Sequence, residues 1–495
     1  MFCIHWNRQQ LSSFFKYAST DGGGPNANGR LLLAALVIVE SLTHRRQQKV
    51  SRSIFLSPNF EPRKSIWISD PSGNELQQRT LRGNRPCCTI SLVIGANGIT
   101  GTHIIEHLLA QAEDSWAKII GTSRKSPNQT WLNQDLGLKN DQITAMGEGK
   151  GRLGWISVDL VEESLDSIVQ KFKEGGVEDV THVFYCAYIM VGGWGSQDER
   201  EANAKLCQQG ITAADKVSKK LCRTLLQLGG KWYGYHKEEV KMPLIENEHP
   251  HPAADFYIDQ WEFVKSLSKG KGWDWAVTLP DAIVGYSRHA NMNLATSLML
   301  YCAIKTAAGE PLVYPGNRKG FDIARDYTDA ALLAAFDVWA ATTPHCSCQF
   351  FNVLNDDHFN FEMLWPVFAE YFGSELSPNN DYFKPEPKPV YDLEEYYGKS
   401  DKAKGLWRNI VAKNPEVDPE SIDSATWWFM QYNVMSMPSP LVFNTNKGRT
   451  YGWRGVANTL EMWLRCFECA RKSGAIPKNV PGLSAIKSAK VPGTI

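Results

Sequence analysis

The chain has 495 residues, of which 43% are hydrophobic, and its 53 basic and 53 acidic side chains leave no formal net charge. A chain of this length exceeds one ordinary core, so it has room for a nucleotide-binding domain and a substrate-binding portion. The balanced charge argues against a nucleic-acid partner or an anionic membrane surface. Eleven scattered cysteines in so long a chain indicate reduced thiols rather than a disulfide framework.

The first 86 residues differ from the rest, with a turn-forming GGGPNANG cluster and an excess of basic over acidic side chains. Their one apolar run, residues 31–39, is too short to span a bilayer and too far from the start for a secretory signal. This stretch is interpreted as an extension without a fold, a gene-model artefact or a basic mitochondrial leader. We therefore expect no membrane span, and a cytoplasmic protein unless the leader directs it to mitochondria.

The clearest motif is LVIGANGITG at residues 92–101. An apolar run at 92–94 predicts a buried strand, three glycines follow at three-residue spacing, and helical periodicity continues after them. Glycine allows close backbone approach, and the start of a helix attracts a pyrophosphate. The G-x-x-G-x-x-G spacing departs from G-x-G-x-x-G, so the strand–turn–helix context carries the interpretation. We expect the dinucleotide to contact Gly95, Asn97, Gly98, Ile99, Thr100 and Gly101.

The segments after this motif alternate between strand-like and helix-like patterns. Apolar runs lie at 117–123, 154–160, 180–187, 221–228 and 274–279, and helical stretches at 99–112, 162–174, 199–219 and 257–268. Such alternation predicts an α/β protein with a doubly wound parallel sheet of the Rossmann type. We expect a cofactor domain over 87–280 and a mostly helical substrate-binding portion over 281–495. Its Pro- and acid-rich segment, 377–398, predicts a surface excursion or lid.

The end of the second predicted strand selects the cofactor, because an acidic residue there binds the ribose of NAD and a basic one the 2′-phosphate of NADP. The strand ends in GTSRK, which puts Ser123, Arg124 and Lys125 at this point. The two cations favour NADPH over NADH. Asp159 ends the next strand and either accepts a hydrogen bond from the adenine amine or caps the following helix.

Several segments together resemble one family. IIGTSRK, VTHVFYCAY, GGKWYG, DFYIDQWEF, VTLPDAIVGYS and ATWWF follow VIGANGITG in order, over roughly residues 89–475. They are similar to the progesterone 5β-reductase and iridoid synthase-like group of extended short-chain dehydrogenase/reductases. The resemblance implies an NADPH-dependent enzyme, plausible in secondary metabolism, that delivers hydride to the β-carbon of a small hydrophobic enone or enal. The resemblance does not decide whether the protein forms a homodimer.

The resemblance also implies catalytic residues. KWYGYH is similar to the family's lysine motif and puts Lys231 at the lysine, where a cation can lower a phenol pKa. DFYIDQWE is similar to its tyrosine motif, but Tyr257 matches the first tyrosine and Ile258 stands at the second, catalytic position. An aliphatic side chain cannot donate a hydrogen bond to an oxyanion. Either a one-residue shift brings Tyr257 into the site, or another donor replaces the tyrosine, or the activity has drifted.

The remaining candidate site residues follow from the same resemblance. Those expected to line the cofactor site are Leu160, Cys186, Ala187, Pro280 and Ile283. Those expected at the substrate are Tyr188, Met292, Asn293 and Trp428, although apolar residues at helical spacing are more often core. We expect no metal site, because the C-x-x-C at Cys466 and Cys469 lies within a helical pattern and has no second ligand pair.

Two other functions stay open at this point. A carbonyl reductase or epimerase-like enzyme, acting on a ketone, would use the same cofactor. It is disfavoured because Leu228 stands where such enzymes carry Ser or Thr, and because Trp261 replaces the lysine of a Y-x-x-x-K pair. A non-catalytic dinucleotide-binding protein is the other alternative, and Ile258 is the residue that favours it.

Overall fold

The computed structural model describes residues 89–487 except 128–130, 137–142, 145–150, 248, 289, 291, 377–391 and 436–439. The N-terminal extension and most of the expected lid lie outside these residues. The strands are β1 (Ile90–Ile94), β2 (Lys118–Ser123), β3 (Ile143–Thr144), β4 (Leu153–Ser157), β5 (His182–Tyr185), β6 (Arg223–Gln227), β7 (Asp274–Pro280), β8 (Ile283–Val284), β9 (Thr328–Asp329) and β10 (Gln349–Val353).

The α-helices extend through the whole described chain and are denser after β7. They are α1 (Ile99–Ala110), α2 (Leu165–Glu174), α3 (Gln197–Val217), α4 (Phe256–Leu267), α5 (Leu294–Ala307), α6 (Arg318–Asp322), α7 (Ala330–Thr342), α8 (Phe361–Phe372), α9 (Lys402–Lys413), α10 (Trp427–Val434), α11 (Asn446–Thr450) and α12 (Thr459–Lys472).

Eight strands form one sheet in the order β10-β7-β6-β5-β1-β2-β4-β3, while β8 and β9 pair separately. Every pairing in the large sheet is parallel, and Leu92 of β1 lies between Ile120 of β2 and Val183 of β5. The chain order reverses on either side of β1, which is where doubly wound sheets open a crevice at their carboxyl ends. The predicted α/β Rossmann architecture is confirmed.

Helices cover both faces of the sheet because its strands are apolar on both sides. Successive side chains of β1 point to opposite faces, so Ile94 joins a core with Ile211 of α3, and Val93 joins another with Ile104 of α1. The faces are covered by α2, α3 and α4 on one side and by α1 and α7 on the other. This layering fixes the start of α1 directly beyond the end of β1.

The helices after β7 build a third core, in which α5, α8, α10 and α12 pack together. Its centre includes Met299, Trp365 and Trp463, all buried. Cys466 is buried in α12 and Cys469 is half-buried beside it, so both belong to helix packing. Among the described helices none has both the length and the apolar character to cross a membrane.

The start of β6 is tied to the end of α7 by a buried arginine. Arg223 of β6 is 6% exposed, and its guanidinium pairs with Asp274 and donates to the carbonyl oxygens of Ala340 (2.8 Å) and Thr343 (2.6 Å). Arg223→Met leaves the Ala340 carbonyl oxygen and the Asp274 carboxylate without this partner, so we expect the free energy of unfolding to fall by roughly 2 kcal/mol. Urea unfolding followed by circular dichroism measures it.

The matched control is Lys220→Met, which breaks the Lys220–Asp179 pair on the surface. Because both of its side chains are largely exposed, we expect a change below about 0.5 kcal/mol. Equal losses in the two variants would show that the Arg223 network contributes no more than a surface pair.

Candidate active site

A cavity of about 610 Å³ lies along the carboxyl ends of the central strands. Residues far apart in sequence meet in it because parallel strands bring these ends to one edge of the sheet. The predicted site residues that line it are Gly95, Asn97, Gly98, Ile99, Thr100, Ser123, Arg124, Asp159, Leu160, Cys186, Ala187, Tyr188, Lys231, Tyr257, Pro280, Ile283 and Met292. Gly101, Lys125, Asn293 and Trp428 are not among its lining residues.

The glycine turn after β1 is shaped for close backbone approach. Gly95 has φ +94°, and a Cβ there would lie 2.7 Å from the backbone of Ala187. Gly101 does not face the cavity, but a Cβ on it would lie 2.2 Å from the Gly95 carbonyl oxygen. Helix α1 begins at Ile99 with no side-chain cap. Its first N–H groups therefore open onto the cavity, a geometry that fits a pyrophosphate.

The end of β2 carries two exposed cations. Arg124 lines the cavity and Lys125 stands beside it, and neither side chain has a hydrogen-bond or ion-pair partner among the residues that the structure describes. Ser123 is less available, because its hydroxyl donates to the Lys125 carbonyl oxygen (2.6 Å) and accepts from Trp155 Nε1 (3.0 Å). The charge at this end of the cavity is therefore supplied by Arg124 and Lys125.

Asp159 lines the cavity just after β4. Its Oδ1 accepts from the backbone N–H groups of Val161 (2.9 Å) and Glu162 (3.0 Å). It thus caps the short turn after β4 and not α2, whose cap is Ser164. The expected alternative of a helix cap is corrected to a turn cap, and a contact with adenine stays a prediction.

Lys231 lies in the short 3₁₀ turn that follows β6. Its Nζ sits over the ring of Trp194, 4.3 Å from the ring centroid. Burial lowers the pKa of Lys231 to about 8, although the charges of Glu199 and Asp255 act in the opposite direction. No hydrogen bond or ion pair holds this amine among the described residues, so it remains available to a ligand in the cavity.

Tyr257 is the second residue of α4 and lines the same end of the cavity. A Cβ on Gly229 would lie 2.9 Å from the Tyr257 hydroxyl, so the phenol reaches the backbone just before Lys231. Burial raises the pKa of Tyr257, which keeps the phenol protonated. Ile258 is not among the lining residues. Of the two neighbours, Tyr257 is therefore the one that presents a donor to the cavity.

Two of the residues expected to contact the substrate, Asn293 and Trp428, do not line the cavity. Asn293 is fully buried and caps α5, accepting from Thr296 N–H (3.1 Å) and donating to the carbonyl oxygens of Gly285 and Ser287. Its expected role is corrected from a substrate contact to a structural cap. Trp428 packs one layer behind the cavity, 5.6 Å from the Trp194 ring.

Several lining residues were not predicted from the sequence. Trp194 comes from a loop whose glycines at 192, 193 and 195 all have positive φ. Tyr432 lies one helical turn beyond Trp428 and packs edge-on against Trp194. Asp281 sits between the two predicted residues Pro280 and Ile283, and accepts a hydrogen bond from the Tyr235 hydroxyl. Two features of the sequence could have pointed to these residues. One is the GGWG run that contains Trp194, and the other is the four-residue spacing between Trp428 and Tyr432.

No group of three or more His, Cys, Asp or Glu side chains suited to a metal ion occurs in the described part of the chain.

The fold is similar to that of solved epimerases. UDP-glucose 4-epimerase from Thermotoga maritima is 14% identical, with a TM-score of 0.51 over 78% of this chain and 99% of its own. At this identity the likeness concerns the fold alone.

Curated relatives match most of the chain at low identity. A short chain dehydrogenase (gsfE) of Penicillium aethiopicum is 27% identical over 78% of this chain and 99% of its own length. The (S)-8-oxocitronellyl enol synthase ISY1 of Nepeta cataria and the 3-oxo-Delta(4,5)-steroid 5-beta-reductase of Arabidopsis thaliana are each 27% identical, covering 79% of this chain and 93% of their own. The profile of the PRISE-like Rossmann-fold domain matches residues 91–400. The chain therefore belongs to the PRISE-like Rossmann-fold family, and it is an oxidoreductase of the short-chain dehydrogenase/reductase type.

Proposed function

We propose that the protein is an NADPH-dependent reductase of a hydrophobic α,β-unsaturated carbonyl compound. The observation that carries this proposal is the meeting of Lys231 and Tyr257 at one end of a cavity that begins at the glycine turn. The Tyr257 hydroxyl lies close to Gly229, two residues before Lys231, and an amine and a phenol in one cavity suit the stabilisation of an enolate oxygen. Relatives named as an enol synthase and a steroid 5-beta-reductase support the same reaction class.

The glycine turn, the open start of α1 and the backbone near Cys186 and Pro280 are the groups that would hold a nicotinamide dinucleotide. Arg124 and Lys125 favour the cofactor with a 2′-phosphate, because neither cation at the end of β2 is paired within the described part of the chain. When bound, the reduced nicotinamide supplies the hydride.

The chain's own residues act on the carbonyl oxygen of the substrate. The Tyr257 hydroxyl donates a hydrogen bond to this oxygen, and the Lys231 ammonium stabilises the negative charge that develops there. The Trp194 ring covers Lys231 and excludes water, which strengthens both interactions. Both groups favour the transition state over the ground state because the charge on the oxygen grows during hydride addition.

The side chains around this end of the cavity favour an apolar substrate. Met190, Val191, Phe256, Met292 and Phe429 line it, and they offer contact area without hydrogen-bonding groups. An enone or enal on a hydrocarbon frame matches this lining better than a nucleotide sugar does, which would leave many hydroxyls unpaired.

The test is transfer of deuterium from NADPH labelled at C4 to a panel of enones, enals and ketones, using the full chain. Label on the β-carbon of a saturated product, located by NMR, is the expected result. Label on a carbinol carbon would instead make the protein a carbonyl reductase. NADPH binding without transfer to any compound would favour a non-catalytic dinucleotide-binding protein.

Arg124→Ala is expected to raise KM for NADPH about tenfold, because one charge-assisted contact with the 2′-phosphate is lost. KM for NADH is expected to change less than twofold, since NADH carries no such phosphate. Steady-state kinetics with both cofactors measures this difference. Lys173→Ala, which removes an exposed cation from α2, is the control and should leave both values unchanged. An equal effect on NADPH and NADH would contradict the assignment.

A further inference from the structure

One wall of the cavity is polar, although apolar side chains surround it. This polar wall consists of Asp281, Arg325, Asp326, Tyr327 and Tyr432. Asp326 and Tyr327 are each 3% exposed and Arg325 is 7% exposed. Neither the hydride transfer nor the binding of the carbonyl oxygen uses these residues. Polar groups buried so deeply are normally paired, so each unpaired one needs a reason.

Three groups of the polar wall are left without partners. Asp326 Oδ1, Arg325 Nε and the Tyr327 hydroxyl oxygen are buried and make no hydrogen bond among the described residues. Nη2 of the same guanidinium is engaged, since it donates to the carbonyl oxygens of Gly320 (3.1 Å) and Met435 (2.8 Å). An unpaired buried acceptor and an unpaired buried donor are both costly until a ligand satisfies them. The wall therefore offers one acceptor, one donor and one hydroxyl that can do either.

The charges around the polar wall indicate a neutral ligand group. The carboxylates of Asp281, Asp356 and Asp357 act on Asp326 and would repel an added anion. The Arg325 guanidinium acts on Asp281 and on Tyr432 and would repel an added cation. A hydroxyl is the simplest neutral group that both donates and accepts a hydrogen bond. An apolar group would leave all three of these atoms unpaired.

The polar wall is continuous with the reaction end of the cavity. Asp281 Oδ1 would lie 2.8 Å from a Cβ on Gly230, the residue that precedes Lys231. Tyr432 packs 5.0 Å from the Trp194 ring, which in turn covers Lys231. A single ligand can therefore contact Lys231 with one end and the polar wall with the other.

Resting on the proposed function, we infer that the substrate carries a hydroxyl group that binds the polar wall while its unsaturated carbonyl faces Lys231 and Tyr257. The hydroxyl donates to Asp326 Oδ1 and accepts from the unpaired donor of the polar wall, Arg325 Nε. The substrate class is thus a hydroxylated enone or enal rather than a plain hydrocarbon one.

The first test measures binding without turnover. The full chain loaded with NADP⁺ is titrated calorimetrically with ω-hydroxy-trans-3-alken-2-ones of increasing chain length and with their methyl-ended counterparts. At one chain length the hydroxylated ligand should bind at least tenfold more tightly than its counterpart, because sites built around buried polar groups reject analogues that leave them unpaired. Equal affinities at every length, or no binding of either series, would overturn the inference.

The second test changes the polar wall. Asp326→Leu removes the acceptor at similar volume and should abolish the preference for the hydroxylated ligand, while Asp326→Asn keeps an acceptor and should retain most of it. Asp322→Asn, at an exposed ion pair of α6, is the control and should leave the preference unchanged. A preference that survives Asp326→Leu in folded protein would overturn the inference. If that variant does not fold, the wild-type comparison of the two ligand series decides.

The two proposals fail in different ways. If hydroxylated ligands bind more tightly but no deuterium reaches a β-carbon, the reductase proposal fails and the hydroxyl site stands. If methyl-ended enones are bound and reduced as well as hydroxylated ones, the reductase proposal stands and the hydroxyl site fails.

Discussion

Lys231→Met is expected to lower kcat/KM for enone reduction by about 10²–10⁴-fold, while the fold and NADPH affinity stay close to wild type. Methionine matches the length of the lysine stem but carries no charge. The amine is positioned by the turn after β6 and is covered by Trp194. Its removal leaves the carbonyl oxygen without a cation in a site that excludes water, where that charge matters most.

The pH dependence of kcat/KM tests the role of Lys231 independently. Burial lowers the pKa of Lys231 to about 8, so the ammonium is present below that pH and is lost above it. We therefore expect kcat/KM of the wild-type protein to fall as the pH rises through about 8. Lys231→Arg keeps its charge over the whole range, so any activity it retains should show no such fall.

Lys237→Met is the matched control, because Lys237 is an exposed cation whose charge acts on Lys231. Removing it leaves the cavity lining intact, so kcat should stay within about twofold of wild type, and the alkaline fall should move slightly upward because a repulsive charge is gone. An unchanged rate in Lys231→Met would end the assignment of Lys231 to catalysis.

The fold could be predicted because local patterns and connection rules agree. Apolar runs bounded by helical segments fixed the strands β1, β2 and β4 to β7 within a few residues, since parallel strands buried on both faces must be apolar throughout. The glycine motif follows β1 directly, which is where the structure shows the strand order to reverse. The short strand β3 and the pair β8–β9 had too few residues to give a pattern.

The cavity was predictable where its residues directly follow predicted strands, as Gly95, Arg124 and Pro280 do. Trp194 and Tyr432 were missed because their approach depends on how a loop and a distant helix pack together, which leaves no local periodicity. Asn293 was assigned to the substrate because a motif does not show which way an amide points. In the structure that amide satisfies backbone groups, which caps α5 instead.

Tyr257→Phe is expected to lower kcat/KM about 10²–10³-fold, which is the usual cost of removing one donor to an oxyanion. The change deletes a single hydroxyl and keeps the ring that packs edge-on against Phe256, so stability should change little. Because burial raises the pKa of Tyr257, the phenol is protonated across the working range and the loss should not depend on pH below about 9. Steady-state rates at several pH values, with thermal unfolding of both proteins, measure these effects.

The double variant Tyr257→Phe/Ile258→Tyr distinguishes the two positions of the tyrosine motif. Ile258 follows Tyr257 on α4, and successive helical residues point about 100° apart, so a hydroxyl restored at 258 would not reach the carbonyl oxygen. We therefore expect no recovery of activity relative to Tyr257→Phe, and Ile258→Tyr alone should stay within about threefold of wild type, as substitutions outside the cavity usually do. Recovery in the double variant would mean that α4 turns on binding substrate and that position 258, not Tyr257, faces the reacting oxygen.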